Sequence, residues 1–225
     1  MKTSTIVLSV AAVLGGAGAL AAWHHMPCTS CSVASAAPAA AITTVANPAP
    51  APAEDAKAFT VDAVHSAVVY RIKHMGVSYS YGRFNDFSGA FHFDSADAAK
   101  SSLNVTVKTE SIDSANDGRD KHLKSADFFS ASEYPEITFA AKSIKKTGDN
   151  TYEVTGDLSL LGKTKSLTTT VTHVGTGKGM RGGELSGIET TFTIKRSDFG
   201  MTYGIDNGAL GDEVQLTVSL EGARK

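Results

Sequence analysis

The spacing most suggestive of chemistry in this 225-residue chain is Cys28-Thr29-Ser30-Cys31, preceded by His24, His25 and Met26. Two thiols separated by two residues suit a soft metal ion or a dithiol–disulfide couple. Either use needs a frame, because a metal site needs groups that orient its ligands and a redox dithiol sits in a βαβ context. Neither surrounds these residues, so they read as a local disulfide or as residues lost with an export signal. Farther along, His65, His74, His92, His122 and His173 could each supply a base or a ligand, and Asp120 with His122 is a pair that catalysis could use. Arg119 and Arg196 carry guanidinium groups, which bind the oxygens of a phosphate or a quinone bidentately. No H-x-x-x-H, H-E-x-x-H or G-x-S-x-G pattern is present. The expectation is therefore no catalytic residue and no metal site.

The elements that must position these groups alternate with period two. In the stretch 62–94, Val68, Tyr70, Ile72 and His74 face one way and Ala67, Val69, Arg71 and Lys73 the other. Phe87, Gly89, Phe91 and Phe93 repeat the scheme after a bend at Gly76 and Tyr79–Gly82. Leu103, Val105 and Val107 form a further face, as do Ile137, Phe139 and Ala141. Tyr152, Val154, Gly156, Leu158 and Leu160 lead through Leu161-Gly162-Lys163 into Leu167, Thr169, Val171 and His173. Ile188, Thr190, Phe192 and Ile194, then Val214, Leu216, Val218 and Leu220, complete the series. With Phe59 and Val61 this makes about eight strands joined mostly by short turns, the arrangement by which an all-β chain closes into an antiparallel barrel and removes its edges. One short helical insertion interrupts it between Ser111 and Glu133, with Asp113 and Ser114 as candidate caps.

Composition bounds the function. A formal charge of −2, with 20% charged and 42% hydrophobic residues, is ordinary for a soluble domain. No nucleic-acid partner is expected. Residues 1–21 have the parts of a secretory signal: Lys2, an apolar run from Ile6 to Leu20, and an A-x-A site at Ala19–Ala21, with a second site at Ala34–Ala36 that would move cleavage as late as 36. A retained membrane anchor is the competing reading, which Gly15, Gly16 and Gly18 weaken. Residues 22–58 hold five of the six prolines among many alanines and read as a disordered Ala/Pro-rich tether. Residues 59–225, with one proline and neither Trp nor Cys, form the folded domain, long enough for a single core.

Its landmarks resemble the YceI-like family of exported proteins. They are His65-Ser66, Lys73-His74, Gly82-Arg83-Phe84, Phe87-Ser88-Gly89, the run from Arg119 to Phe129, Tyr134-Pro135 with Ile137 to Phe139, Gly156-Asp157-Leu158, Leu161 to Lys165, Lys195 to Gly200, and Asp212-Glu213-Val214. Two mild departures are Lys195, where the family often has a polar residue before the arginine, and Tyr70, where Phe is commoner. The resemblance implies a lipocalin-like eight-stranded barrel in the periplasm of a Gram-negative bacterium. Its apolar interior would hold an isoprenoid lipid, either a polyprenyl phosphate or a ubiquinone-like prenylated quinone, with no other cofactor required. Transient membrane contact is expected, and a homodimer is left open.

On that reading the barrel-lining residues are Val68, Tyr70 and Ile72 from the first long strand, Phe91 and Phe93, Val105, Phe139 and Ala141, Val154, Gly156, Leu158 and Leu160, Val171, Ile188 and Phe192, and Leu216 and Val218. His74, Arg119, His122 and Arg196 are the candidates at the rim or against the head group. The alternative for Arg119, Asp120, His122 and for Arg196 with Asp198 is an ionic network at a barrel end. Small inward residues (Gly89, Ala141, Gly156, Thr169, Thr190) favour an elongated cavity, whereas Phe91, Phe93, Phe139 and Phe192 could fill the space. A lipid-free interaction or stress-response module remains the other class of function.

Overall fold

The computed structural model describes residues 58–180 and 182–224. The expected signal sequence, the tether and the Cys28–Cys31 segment lie outside the described residues. Eleven strand segments and one α-helix follow in order: β1 (Phe59–Val61), β2 (Ala67–His74), β3 (Ser78–Phe84), β4 (Phe87–His92), β5 (Ser102–Lys108), β6 (Ile112–Asp113), α1 (Asp117–Leu123), β7 (Glu136–Lys146), β8 (Thr151–Leu160), β9 (Lys163–Lys178), β10 (Glu184–Lys195) and β11 (Leu210–Arg224). Every pairing is antiparallel. Three long strands are each broken once: β1 and β2 run along β11, β3 and β4 run along that pair, and β5 and β6 run along β3 and β4. Counted this way the barrel has the eight strands expected from the alternation. It closes where β1 meets β11, while on the β2–β3 arm only Arg83 and Phe84 of β3 meet β6, which leaves the outer edge of β3 from Ser78 to Gly82 without a strand partner among the described residues.

Local chemistry explains the breaks and turns. Between β1 and β2, Ser66 Oγ donates to Asp62 O at 2.6 Å and accepts from Glu221 N at 2.9 Å, so one hydroxyl restores the ladder to β11 across the interruption. The β8–β9 hairpin turns through Leu161 (φ 51°) and Gly162 (φ 68°), the left-handed pair that matches the twist of adjacent strands. A bulge in β7 between Ala141 and Ser143 shifts the inward phase by one residue. Ile144 is therefore buried in the core, which the simple alternation Ile137, Phe139, Ala141 did not anticipate.

The helical insertion is shorter than its expected span, and its cap is neither Asp113 nor Ser114. Asn116 is the N-cap, its side-chain oxygen accepting from Arg119 N at 2.9 Å. Asp113 instead accepts from Ala115 N, and Ser114 donates to Asp120. Irregular turns from Lys124 to Pro135 follow the helix, and Phe128 is buried beneath them.

Candidate functional site

The barrel interior is filled at one end and hollow toward the other. At the filled end Phe59 stacks on Phe91 at 5.8 Å between ring centres, Phe91 meets Phe93 at 6.3 Å, and Phe93 meets Tyr152 at 4.8 Å. Above this layer a narrow lobe of about 90 Å³ is lined by Val68, Val105, Phe139, Val171, Ile188, Phe192 and Val218 among others. A wide lobe of about 580 Å³ follows, lined by Tyr70, Ile72, His74, Leu160, Arg119, His122 and Arg196 among others, and Leu158 and Leu216 border both lobes. The wider volume is in the range of ordinary small-ligand pockets, about 300–1,000 Å³. It opens at the end where β2, β8 and β10 finish.

The wall is apolar for a reason beyond composition. Thr169 and Thr190 face the narrow lobe, but their hydroxyls bond one another at 2.8 Å and Thr190 Oγ1 also donates to Thr170 O at 2.8 Å. Their hydrogen-bonding capacity is spent within the sheet, so the surface they present is largely methyl.

Several expected lining residues lie outside both lobes. Phe91 and Phe93 belong to the aromatic layer, and Val154 and Ala141 pack into the core around it. Gly156 is not cavity lining: a Cβ there would meet Phe139 Cζ at 2.6 Å and Ala141 Cα at 2.9 Å, besides colliding with Ala140 O. Gly89 is similar, since its Cβ would strike Asn104 O and lie 3.1 Å from Val105 Cα. These glycines permit close approach of neighbouring strands and leave no space for a ligand. Of the four phenylalanines that could have filled the interior, Phe91 and Phe93 do so, while Phe139 and Phe192 border the hollow part.

All four rim candidates line the wide lobe, yet they are not one network. Arg119 donates from Nε to Ser114 Oγ at 2.8 Å and from Nη2 to Ser114 O at 2.6 Å, and Ser114 in turn binds Asp120. Asp120 is thereby tied to Ser114 and not to His122. His122 pairs through Nε2 with Asp127 at 2.9 Å and meets the rings of Phe128 and Tyr203 edge-on, each at 5.0 Å. Tyr203 comes from the β10–β11 connection, so these three rings join the two longest loops across the open end. Arg196 is 1% exposed. It donates from Nε to Gly211 O at 2.8 Å and from Nη1 to Met201 O at 3.2 Å, not to Asp198. Its Nη2 has no partner among the described residues. Burial pushes its basicity down, partly offset by the Asp212 charge. Tyr70, from β2, lies over Gly82, where a Cβ would meet its ring at 2.5 Å, and burial pushes its hydroxyl up to about 12.

The loop residues Phe128, Phe129, Met201 and Tyr203 also line the wide lobe and were not among the expected residues. They lie outside any period-two pattern, so alternation carries no signal for them. Leu103 and Val107 line the narrow lobe in phase with Val105 and could have been read from the same strand. The other histidines lie elsewhere: His173 meets Thr176 and Ser186, His92 has a buried Nδ1 without a described partner, and His65 donates from Nδ1 to Asp62 Oδ2 at 2.8 Å. Asp62, His65 and Glu221 bring potential metal-ligand atoms within 4.8 Å of one another. Their contacts have a structural account, because Asp62 also caps the turn at Val64 N and the group sits at the β1–β2 break.

Comparison with known proteins agrees with this architecture. A family model described as the YceI-like domain matches residues 59–222. Protein YceI of Escherichia coli is 42% identical over 161 residues, covering 72% of this chain and 83% of that protein. The crystal structure of BcnA from Burkholderia cenocepacia superposes with a TM-score of 0.66 at 31% identity, covering 72% of this chain and 99% of that one. A domain from Saccharophagus degradans described as polyisoprenoid binding, and implicated in plant cell wall breakdown, superposes with a TM-score of 0.59 at 14% identity, covering 74% of this chain and 98% of that one. That last likeness is one of fold.

Proposed function

The chain belongs to the YceI-like family, and from that premise we propose that its barrel carries one isoprenoid lipid, with the tail in the apolar interior, across the periplasm after export. The observation that carries this reading is the hollow, methyl- and phenyl-lined interior, continuous in its lining from the narrow lobe to the wide one and open at one end. The solved neighbour described as a polyisoprenoid-binding domain supports the same cargo class.

Energetics favour carriage over chemistry. Removing prenyl carbon from water is worth about 0.8 kcal/mol per CH₂, so a few isoprene units supply ample affinity. A lipid taken from a bilayer has already realised most of that gain, so loading and unloading stay close to balance. Exchange then needs contact with a membrane. The β2–β3 turn offers it: Met75 is 59% and Val77 84% exposed, immediately beyond the rim residue His74. The polar groups at the opening support no acid–base pair of Asp120 and His122, in keeping with a carrier.

Native mass spectrometry of the protein purified from periplasm tests the proposal. A reproducible adduct extractable into organic solvent is expected, and N-terminal sequencing of the same fraction should begin after Ala21 or Ala36. A clean unliganded mass, together with failure to take up any prenyl lipid from vesicles, would replace the carrier by a lipid-free interaction module.

A further inference from the structure

We infer that the barrel docks on an anionic phospholipid surface through one side of its mouth, the β2–β3 hairpin, while the α1 side stays in water. This rests on the carrier reading and deepens it, naming the chemistry of the surface and the face that meets it.

Large apolar and aromatic side chains are concentrated on this hairpin. Met75, Val77, Tyr79 and Tyr81 are all exposed, and Tyr203 adds another exposed ring from the β10–β11 connection. The other exposed large apolar side chains among the described residues, Val64, Val174 and Met180, are not on the loops of the mouth. A contiguous exposed apolar patch marks an interaction surface, whereas scattered single residues do not. The tip is stiff as well as apolar. Met75 (φ 52°) and Gly76 (φ 73°) form a left-handed pair, Val77 N donates to His74 O at 3.0 Å, and Met75 N donates to Ala209 O at 2.9 Å. A residue other than glycine in that region carries a steric cost, and here the result is an apolar side chain presented from a fixed turn. Such a tip has little freedom left to lose on docking.

Charge identifies the surface. From Ala63 to Asn85 the chain contains no acid, and Arg71, Lys73 and Arg83 lie on the two strands of the hairpin. Lys73 stands opposite Tyr79 and Arg71 opposite Tyr81, and the Arg71 guanidinium lies over the Tyr79 ring at 4.5 Å. Of the three cations, Arg83 alone has an acid close by among the described residues, Asp113 at 3.7 Å. Cations interleaved with tyrosines behind an apolar tip match the layers of a bilayer interface, with acyl chains under the tip and phosphates beside the rings. The outer edge of β3 from Ser78 to Gly82 has no strand partner, so its backbone donors are open to phosphodiester oxygens in the same layer. The loops across the mouth carry both signs. Asp117 and Asp127 are exposed together with Arg119 and Lys121, and Asp206 is exposed on the β10–β11 connection. An anionic surface therefore draws the hairpin and not α1, and the barrel leans with β2 and β3 toward the lipid.

Co-sedimentation of the protein purified from periplasm with two sets of vesicles tests this, one of phosphatidylcholine alone and one with phosphatidylglycerol added. Binding is expected to the second set only and should weaken in high salt. Lys73→Gln should lower it about fivefold, the usual contribution of one basic side chain near an anionic surface, and Val77→Asp about tenfold or more. Val174→Asp, at the opposite end of the barrel, should change nothing. Both hairpin variants should load prenyl lipid from anionic vesicles more slowly yet reach the same final content, because neither residue lines the cavity. Equal binding to both vesicle sets, or a loss in Val174→Asp as large as in Val77→Asp, overturns the docking face. Binding to neither set overturns it in favour of an added polypeptide strand on the open edge of β3. In each of these cases a lipid adduct on the periplasmic protein leaves the carrier reading standing. Hairpin-dependent docking without any adduct overturns the carrier and keeps the docking face.

Discussion

Gly156 shows how one residue can be legible as to direction and still be misread as to purpose. Alternation along β8 correctly puts it on the same face as Val154 and Leu158, but pattern contains no information on how near the next strand passes. Because Ala140 O and Ala141 Cα occupy the space a side chain would need, Gly156→Leu should destabilise the barrel by ~1–3 kcal/mol or more through overpacking. Denaturant unfolding checks this, and a variant as stable as the parent with reduced lipid uptake would restore Gly156 to the cavity wall. Arg119 and Arg196 were readable as rim candidates because guanidinium binds head-group oxygens, whereas the bonds they make depend on loops whose course the sequence does not reveal. Tyr70 gives a pH prediction. Its folded pKa of about 12 lies above the ordinary tyrosine value near 10, so its contribution to stability is complete below pH ~10 and is lost as pH rises through 12. Ultraviolet titration should show a late tyrosinate step that Tyr70→Phe removes, and an unchanged titration curve in that variant would contradict the burial described here.

At the scale of elements, the strands follow from their alternation and the turns from Leu161-Gly162 and Met75-Gly76, but the three breaks do not. A break needs a side chain such as Ser66 to replace ladder hydrogen bonds, and that partnership joins residues far apart in the chain. The bulge at β7 is similar, since nothing in Ala141, Lys142 and Ser143 announces that the inward phase will slip before Ile144. Helix α1 is only seven residues long, too short to persist without its cap and its packing on the rim. Replacing Asn116 with Ala removes the acceptor for Arg119 N and should cost about 1 kcal/mol. The same change should loosen Arg119 and His122, read as faster hydrogen exchange of amides 117–124 with β8 and β9 unaffected. Equal acceleration throughout the barrel would mean that α1 is integral to global folding.

For the whole molecule, the ring closes within residues 59–224, because β1 pairs with both β4 and β11. A chain beginning at Ala56 should therefore melt at the same temperature as the longer protein. A drop beyond ~4 °C, about 1 kcal/mol for a domain of this size, would show that the preceding segment contributes to the fold. The aromatic layer of Phe59, Phe91, Phe93 and Tyr152 has a different consequence. A barrel stoppered at its base has one doorway, so whatever goes in tail-first must back out the way it came. Donor and acceptor membranes cannot both be docked on the same opening. If the barrel carries lipid as proposed, it would work as a ferry that must cast off from one shore before it lands on the other, and not as a standing bridge between them. Tethering it permanently to either membrane should abolish net transfer between two vesicle populations while leaving loading intact.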